Sequence, residues 1–184
     1  SRLFDVPSEG YLGSRIDTAY RPVKVQEQRE ALINKLAREL GAFCKETYLA
    51  LDPKAQTEFS QAMGVRALKN IMLSMMARQG DEDVFALADA QYKTTGNMSE
   101  RLGALRVLVW NDAPQAEAAL IDFYLRFKDE ALSMDQWFMV QAAHPNATVE
   151  TIAYLTSHPD YDLTVPNRIR AVSGGLNANP VNTW

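Results

Sequence analysis

From Lys24 to about residue 50, apolar residues recur at intervals of three and four. Leu32, Leu36, Leu40 and Phe43, with Ile33 and Cys44 beside them, make one face, while Glu27, Arg29, Glu30, Lys35, Arg38 and Glu39 mostly cover the other. That period predicts an amphipathic helix laid on a core. Leu51-Asp-Pro-Lys54 ends it, because the residue before a proline is pushed out of the helical region. A second helix is expected from about Ala55 to Arg78, bent or split near Gly64, with Val65, Leu68, Ile71, Met72, Met75 and Met76 along its later half. Gln79-Gly80-Asp81 reads as a C-terminal glycine followed by an N-cap aspartate. Val84, Leu87 and Ala88 then mark a short helix ending near Lys93-Thr-Thr-Gly96. Asn97-Met-Ser-Glu100 has the layout of a capping box, and it opens a helix striped by Leu102, Leu105, Leu108 and Val109. Asp112-Ala-Pro-Gln115 is read as the start of another, which carries Ala118, Ile121, Phe123, Tyr124, Leu125 and Phe127. Further helices fit about 131–143, 148–157 and 166–174.

No stretch alternates long enough to demand a strand. The expectation is an all-α fold, an irregular superhelical stack of about eight antiparallel helices of the solenoid or HEAT-like kind. No fixed period is visible, so a consensus repeat array is not indicated. Residues 1–22, punctuated by Pro7, Gly10, Gly13 and Pro22, read as an extended linker from a preceding domain. Residues 23–184 make up the helical domain. The chain opens on Ser1 without a methionine, and Asn177-Ala-Asn-Pro-Val-Asn-Thr-Trp184 does not look like a finished helix, so a piece of a longer protein is expected.

Composition narrows the function classes. The 184 residues are 47% hydrophobic and 23% charged, which is ordinary for a globular domain with a sizeable core. A net charge of -4 argues against nucleic acid as the main partner. No apolar run approaches the length of a membrane span. The single cysteine, Cys44, excludes an internal disulfide and any multi-cysteine metal site, and its apolar setting marks it as a buried small hydrophobe. A cytoplasmic location is the reading that follows.

Catalytic patterns are absent. There is no H-E-x-x-H, no G-x-S-x-G and no glycine-rich phosphate loop, and Ser173-Gly174-Gly175 falls after its helix has begun. His144 and His158 each stand before a proline, where a histidine would satisfy terminal helix carbonyls. Glu82/Asp83 and Asp129/Glu130 sit at turns or on polar faces. Met72, Met75 and Met76 lie at core spacing, Trp110, Trp137 and Phe138 read as core or inter-helix anchors, and Asp135 as a cap or dipole partner. No catalytic residue and no metal ligand is assigned.

Pro166-Asn-Arg-Ile-Arg170 is the exception to this quiet reading. Proline suits the first helical turn, but arginines there face a partial positive charge. Something anionic or carbonyl-rich must therefore oppose Arg168 or Arg170. Ile169, Val172 and Leu176 form the expected apolar stripe. Asn167 and Arg170, three apart, share a side, and Arg168 lies on another. Either one arginine pairs with a carboxylate of a neighbouring helix and leaves the other in solvent, or Asn167 and Arg170 together line a cavity and hold a carbonyl or carboxylate.

Taken in order, Val6-Pro-Ser-Glu9, Arg29-Glu-Ala-Leu32, Arg66-Ala-Leu-Lys-Asn70, Asn97-Met98, Met134-Asp-Gln-Trp-Phe138 with Gln141-Ala142, Pro166-Asn-Arg-Ile-Arg170 and Asn179-Pro180 resemble the C-terminal helical domain of bacterial alanyl aminopeptidases (aminopeptidase N). These are zinc metallopeptidases of the thermolysin-like, gluzincin family. The resemblance covers nearly the whole chain. It implies a non-catalytic domain that closes the active-site cavity of a parent aminopeptidase and gates peptide access. The zinc would be held by the catalytic domain of the same polypeptide, with no cofactor in this chain. The arginine matching Arg170 lies near the substrate channel in that family, so Asn167 and Arg170 become the substrate-channel candidates. The family domain continues for several helices past Asn179-Pro180, which implies an incomplete C-terminal end and self-association through it. The two glycines of Ala171-Val-Ser-Gly-Gly175 depart from expectation and weaken a helix there. The alternative reading is a free-standing helical-repeat adaptor for protein partners.

Overall fold

The computed structural model describes residues 6–15 and 21–177. Among them the regular elements are all helical: α1 (Glu9–Gly13), α2 (Pro22–Glu39), α3 (Gly41–Ala50), a 3-10 turn at Pro53–Ala55, α4 (Phe59–Ala77), α5 (Glu82–Thr94), α6 (Met98–Trp110), α7 (Ala116–Phe127), α8 (Ala131–Ala142), α9 (Val149–Thr156) and α10 (Pro166–Asn177). The all-α reading holds. The chain forms two compact units, Ser1–Val107 and Leu108–Trp184.

In the first unit the expected extended lead-in contains a helical turn. Ser8 caps it by accepting the Tyr11 N–H at 3.3 Å, and α1 packs on α2. The remaining parts of that lead-in, residues 1–5 and 16–20, lie outside the described residues, as does Asn179-Pro180. The first long helix is two helices, broken at Leu40 just before Gly41, although Leu40 N–H still reaches Leu36 O at 2.9 Å and Cys44 N–H reaches Leu40 O at 2.8 Å. Glycine is a poor helix interior residue and a usual place for such a kink. Burial selects Ile33, Ala37, Cys44 and Tyr48, while Leu32 and Phe43 of the expected face are half exposed. Burial pushes the Cys44 thiol up from its ordinary range.

α4 is unbroken through Gly64 and buries Met72, Leu73, Met75 and Met76. Gly80, at φ +73°, supplies the left-handed residue after α4, a conformation that costs glycine little. Asp81 stands at the N-cap of α5 but makes no capping bond with its side chain.

A buried polar chain ties α3, α4, α5 and α6 together. Tyr48 Oη donates to Gln91 Oε1 at 3.0 Å, and Gln91 Nε2 donates to Asn70 Oδ1 at 2.9 Å and to Glu100 O at 2.8 Å. Asn70 Nδ2 in turn donates to Ser99 O at 2.9 Å. Every amide atom of this chain that is buried thus finds a partner, which is what keeps a polar core favourable. The start of α6 carries the expected cap in altered form. Asn97 Oδ1 accepts from Ser99 N and Glu100 N. The return half runs through the Thr95 hydroxyl, which accepts from Asn97 N at 3.1 Å and donates to Glu100 Oε2 at 3.2 Å.

In the second unit Asp112 ends α6 rather than starting α7. Ala113 N–H bonds Leu108 O at 2.9 Å and Asp112 N–H bonds Val109 O at 3.1 Å, with Asp112 at φ +50°. That is a Schellman ending with aspartate where glycine is usual. Trp110 and Trp137 anchor neighbouring helices through their indole N–H groups, to Val140 O at 2.8 Å and Leu120 O at 3.0 Å. A reciprocal Thr148–Thr151 capping box opens α9. α10 continues through both glycines and packs chiefly on α8. Its contact is so close that a Cβ on Gly175 would stand 2.8 Å from the Ala142 Cβ.

Candidate functional site

The start of α10 resolves the two arginines. Pro166 occupies the first turn, and Arg168 and Ile169 N–H both reach Val165 O, at 3.0 and 3.3 Å. From there the helix buries Arg168, Ala171, Val172 and Gly175, a stripe at helical spacing whose first member is charged. Ile169, expected on the buried stripe, is instead 37% exposed, and Arg168 is 7% exposed.

Arg168 is engaged inside the unit. Its Nε donates to Asp135 Oδ1 at 2.7 Å, its Nη1 donates to the Asp160 carbonyl, and its guanidinium lies 4.9 Å from the Phe138 ring centroid. Asp135 is itself buried, in the second turn of α8, so it is the partner of Arg168 and not a helix cap. Around this pair Tyr124 Oη donates to Asp160 Oδ2 at 2.7 Å. That hydrogen bond to a carboxylate pushes the Tyr124 hydroxyl up from its ordinary range. His158 packs against Trp137, Tyr124 and Phe138 with ring centroids 5.2, 5.4 and 5.6 Å apart. Its Nδ1 accepts the Asp160 N–H at 3.1 Å, as His144 Nδ1 accepts the Asn146 N–H at 2.9 Å. Both histidines therefore serve as acceptors in the turns after their helices, where donation to helix carbonyls was expected.

Arg170 and Asn167 stand on the outer side. Arg170 Nη1 donates to Asn167 Oδ1 at 3.1 Å, and both residues are exposed. Arg170 meets no carboxylate among the described residues. The first turn of α10 holds no acidic side chain either. The remaining guanidinium donors, the Asn167 amide and the helix N-terminus thus make a face suited to an oxyanion or carbonyl. Asp135, Asp160, Tyr124 and His158 were not picked out by the sequence as one cluster, because 33 residues separate Asp135 from Arg168 and no spacing rule spans that gap. Among the described residues no three of histidine, cysteine, aspartate and glutamate converge as a metal site would require, and no helix is long and apolar enough to cross a membrane.

These elements define an all-α domain with a charged anchor at the root of its last described helix. The chain belongs to the family described as "Domain of unknown function (DUF3458_C) ARM repeats", whose model matches residues 1–183. It is 31% identical to aminopeptidase N of Caulobacter vibrioides over 183 residues, which is 97% of this chain and 21% of that protein. It is 30% identical to aminopeptidase N of Escherichia coli (strain K12) over 185 residues, 98% of this chain and 21% of that protein. The crystal structure of Legionella pneumophila aminopeptidase A in complex with aspartic acid matches with a TM-score of 0.81 and 26% identity, over 98% of this chain and 22% of that one. The chain corresponds to the C-terminal ARM-like domain of such proteins and spans 21% of the length of these two curated relatives.

Proposed function

We propose that this chain is the non-catalytic C-terminal domain of a cytoplasmic zinc aminopeptidase, where it closes the active-site cavity and gates the entry of peptides. The observation that carries the reading is the division of labour in α10. Arg168 is consumed by Asp135, which leaves Arg170 and Asn167 as an exposed, preset pair with no carboxylate of their own. A guanidinium beside an amide can take a peptide carbonyl or a C-terminal carboxylate as it passes. The zinc would be held by the catalytic domain of the same polypeptide, a reading supported by the match to aminopeptidase N along nearly the whole of this chain. Exposed Ile121, Leu125, Val149, Tyr154 and Leu163 give the isolated chain apolar surface for self-association.

The test is Arg170→Ala in the whole enzyme. The expected result is a KM for peptides raised several-fold with kcat nearly unchanged, because uniform binding is lost and the chemistry is untouched. An unchanged KM overturns the assignment of Arg170.

A further inference from the structure

The first unit holds a second polar site, in a hollow of about 400 Å³ bounded by Tyr48, Lys54, Lys69, Leu87, Ala90, Gln91, Thr95 and Glu100 among others. We propose that this hollow binds a small zwitterion, a free α-amino acid, with its ammonium on Glu100 and its carboxylate toward Lys54 and Lys69. The proposal concerns this unit alone and does not rest on the aminopeptidase reading.

Glu100 carries the argument. It is 9% exposed, yet its carboxylate receives one hydrogen bond, from the Thr95 hydroxyl to Oε2. No described residue donates to Oε1, and Glu100 is one of the residues that line the hollow. A carboxylate so far removed from water favours a cationic donor that fills its empty lone pairs.

Two opposite charges complete the pattern. Lys54 and Lys69 border the same hollow, as does Asp52, whose Oδ1 already accepts the Lys54 backbone N–H at 2.9 Å, and no ion pair joins either lysine to a carboxylate among the described residues. Lys69 Nζ lies 5.1 Å from the Tyr48 ring centroid, which holds the ammonium over the hollow without neutralising it. Behind them the wall is already satisfied, since Tyr48, Gln91 and Asn70 spend their polar atoms on one another. The wall is therefore preorganised, and it presents no unmet donor of its own. Leu87 and Ala90 add a small apolar surface for a side chain. A volume of about 400 Å³ admits an amino acid and excludes a folded partner.

The experiment is a titration of the 15N-labelled 184-residue chain, followed by amide shifts, with L-leucine, N-acetyl-L-leucine and L-leucinamide as probes. The expected result is saturable movement of the Gln91, Thr95 and Glu100 amides with leucine at millimolar concentration. Removing either ligand charge, by acetylation or amidation, weakens binding about tenfold or more. Glu100→Gln keeps an acceptor for Thr95 and should fold. It removes the preference for leucine over its N-acetyl form, and Lys69→Met reduces the preference over leucinamide. Equal binding of all three probes overturns the proposal. So does a lack of saturable shifts, or leucine binding undiminished in Glu100→Gln.

Discussion

Arg168 of α10 and Asp135 of α8 form a buried ion pair at 2.7 Å, with side-chain exposures of 8% and 10%. Removing one member strands the other in a site that excludes water. Arg168→Met is expected to lower stability by about 3–5 kcal/mol, and Asp135→Leu by a similar amount. The double replacement Arg168→Met with Asp135→Leu should be far milder than the sum, because a matched apolar pair removes both desolvation penalties. Urea unfolding of the four proteins checks this, and additive losses would show that the two residues do not act as a pair.

The adjacent glycines of α10 should respond with opposite sign. At Gly174 a Cβ meets nothing within 4 Å, whereas at Gly175 it would meet Ala142 Cβ at 2.8 Å and Ala143 N at 3.1 Å. Gly174→Ala gains helix propensity, up to about 1 kcal/mol. Gly175→Ala has the same gain, but forcing α10 off α8 costs about 1–3 kcal/mol, so the net is a loss. Thermal unfolding of the two variants gives the comparison directly.

Asp112 occupies the left-handed region at φ +50°, which glycine adopts with no Cβ penalty. Asp112→Gly should stabilise by at most about 0.5 kcal/mol, because the freedom a glycine adds to the unfolded chain offsets part of the relieved strain. The lost approach of Asp112 Oδ1 to His144 Nε2, at 3.1 Å, opposes this weakly, because the aspartate is 72% exposed. Asp112→Val should destabilise, since a β-branched residue resists this conformation. Denaturant midpoints for the two variants on either side of wild type are the expected outcome.

Stability should decline on the alkaline side for an identifiable reason. Burial, with Glu100 nearby, pushes the Tyr48 hydroxyl above its ordinary value of 10.0, and the Asp160 hydrogen bond does the same for Tyr124. A raised pKa means that the folded state holds the proton more tightly. The resulting stability is fully present below the unfolded value and is lost as pH rises through the folded one. Tyr48→Phe should flatten that decline while lowering stability at neutral pH through the lost bond to Gln91. Unfolding midpoints measured from neutral pH to beyond the ordinary tyrosine range test both parts.

Helix type was legible because the 3.6-residue period is strong in α2, α7, α9 and α10. The face of a helix was less so. Leu32 and Ile33 are neighbours that fit two overlapping stripes, and only packing chose Ile33. The break at Leu40 escaped notice because the apolar period and much of the hydrogen bonding run through it. At the candidate site, the Asn167–Arg170 association followed from their spacing of three. Which arginine would be interior did not, since a charged residue gives no hydropathy signal for burial and Asp135 is remote in sequence. The Tyr48–Gln91–Asn70 chain was hidden for the same reason, being assembled from three helices.

An arginine at the root of a buried stripe also fixes position. The apolar ridge of Ala171 and Val172 does not by itself forbid a slide along α8 by one turn, although such a slide would also press the Ala171 Cβ into the close seat of Gly175 against Ala142. A shift of four residues would bring Thr164 or Val172 to the place of Arg168 and leave Asp135 buried without a cation. The register of α10 is thus set by a charge lock, and the outward aim of Asn167 and Arg170 is inherited from it.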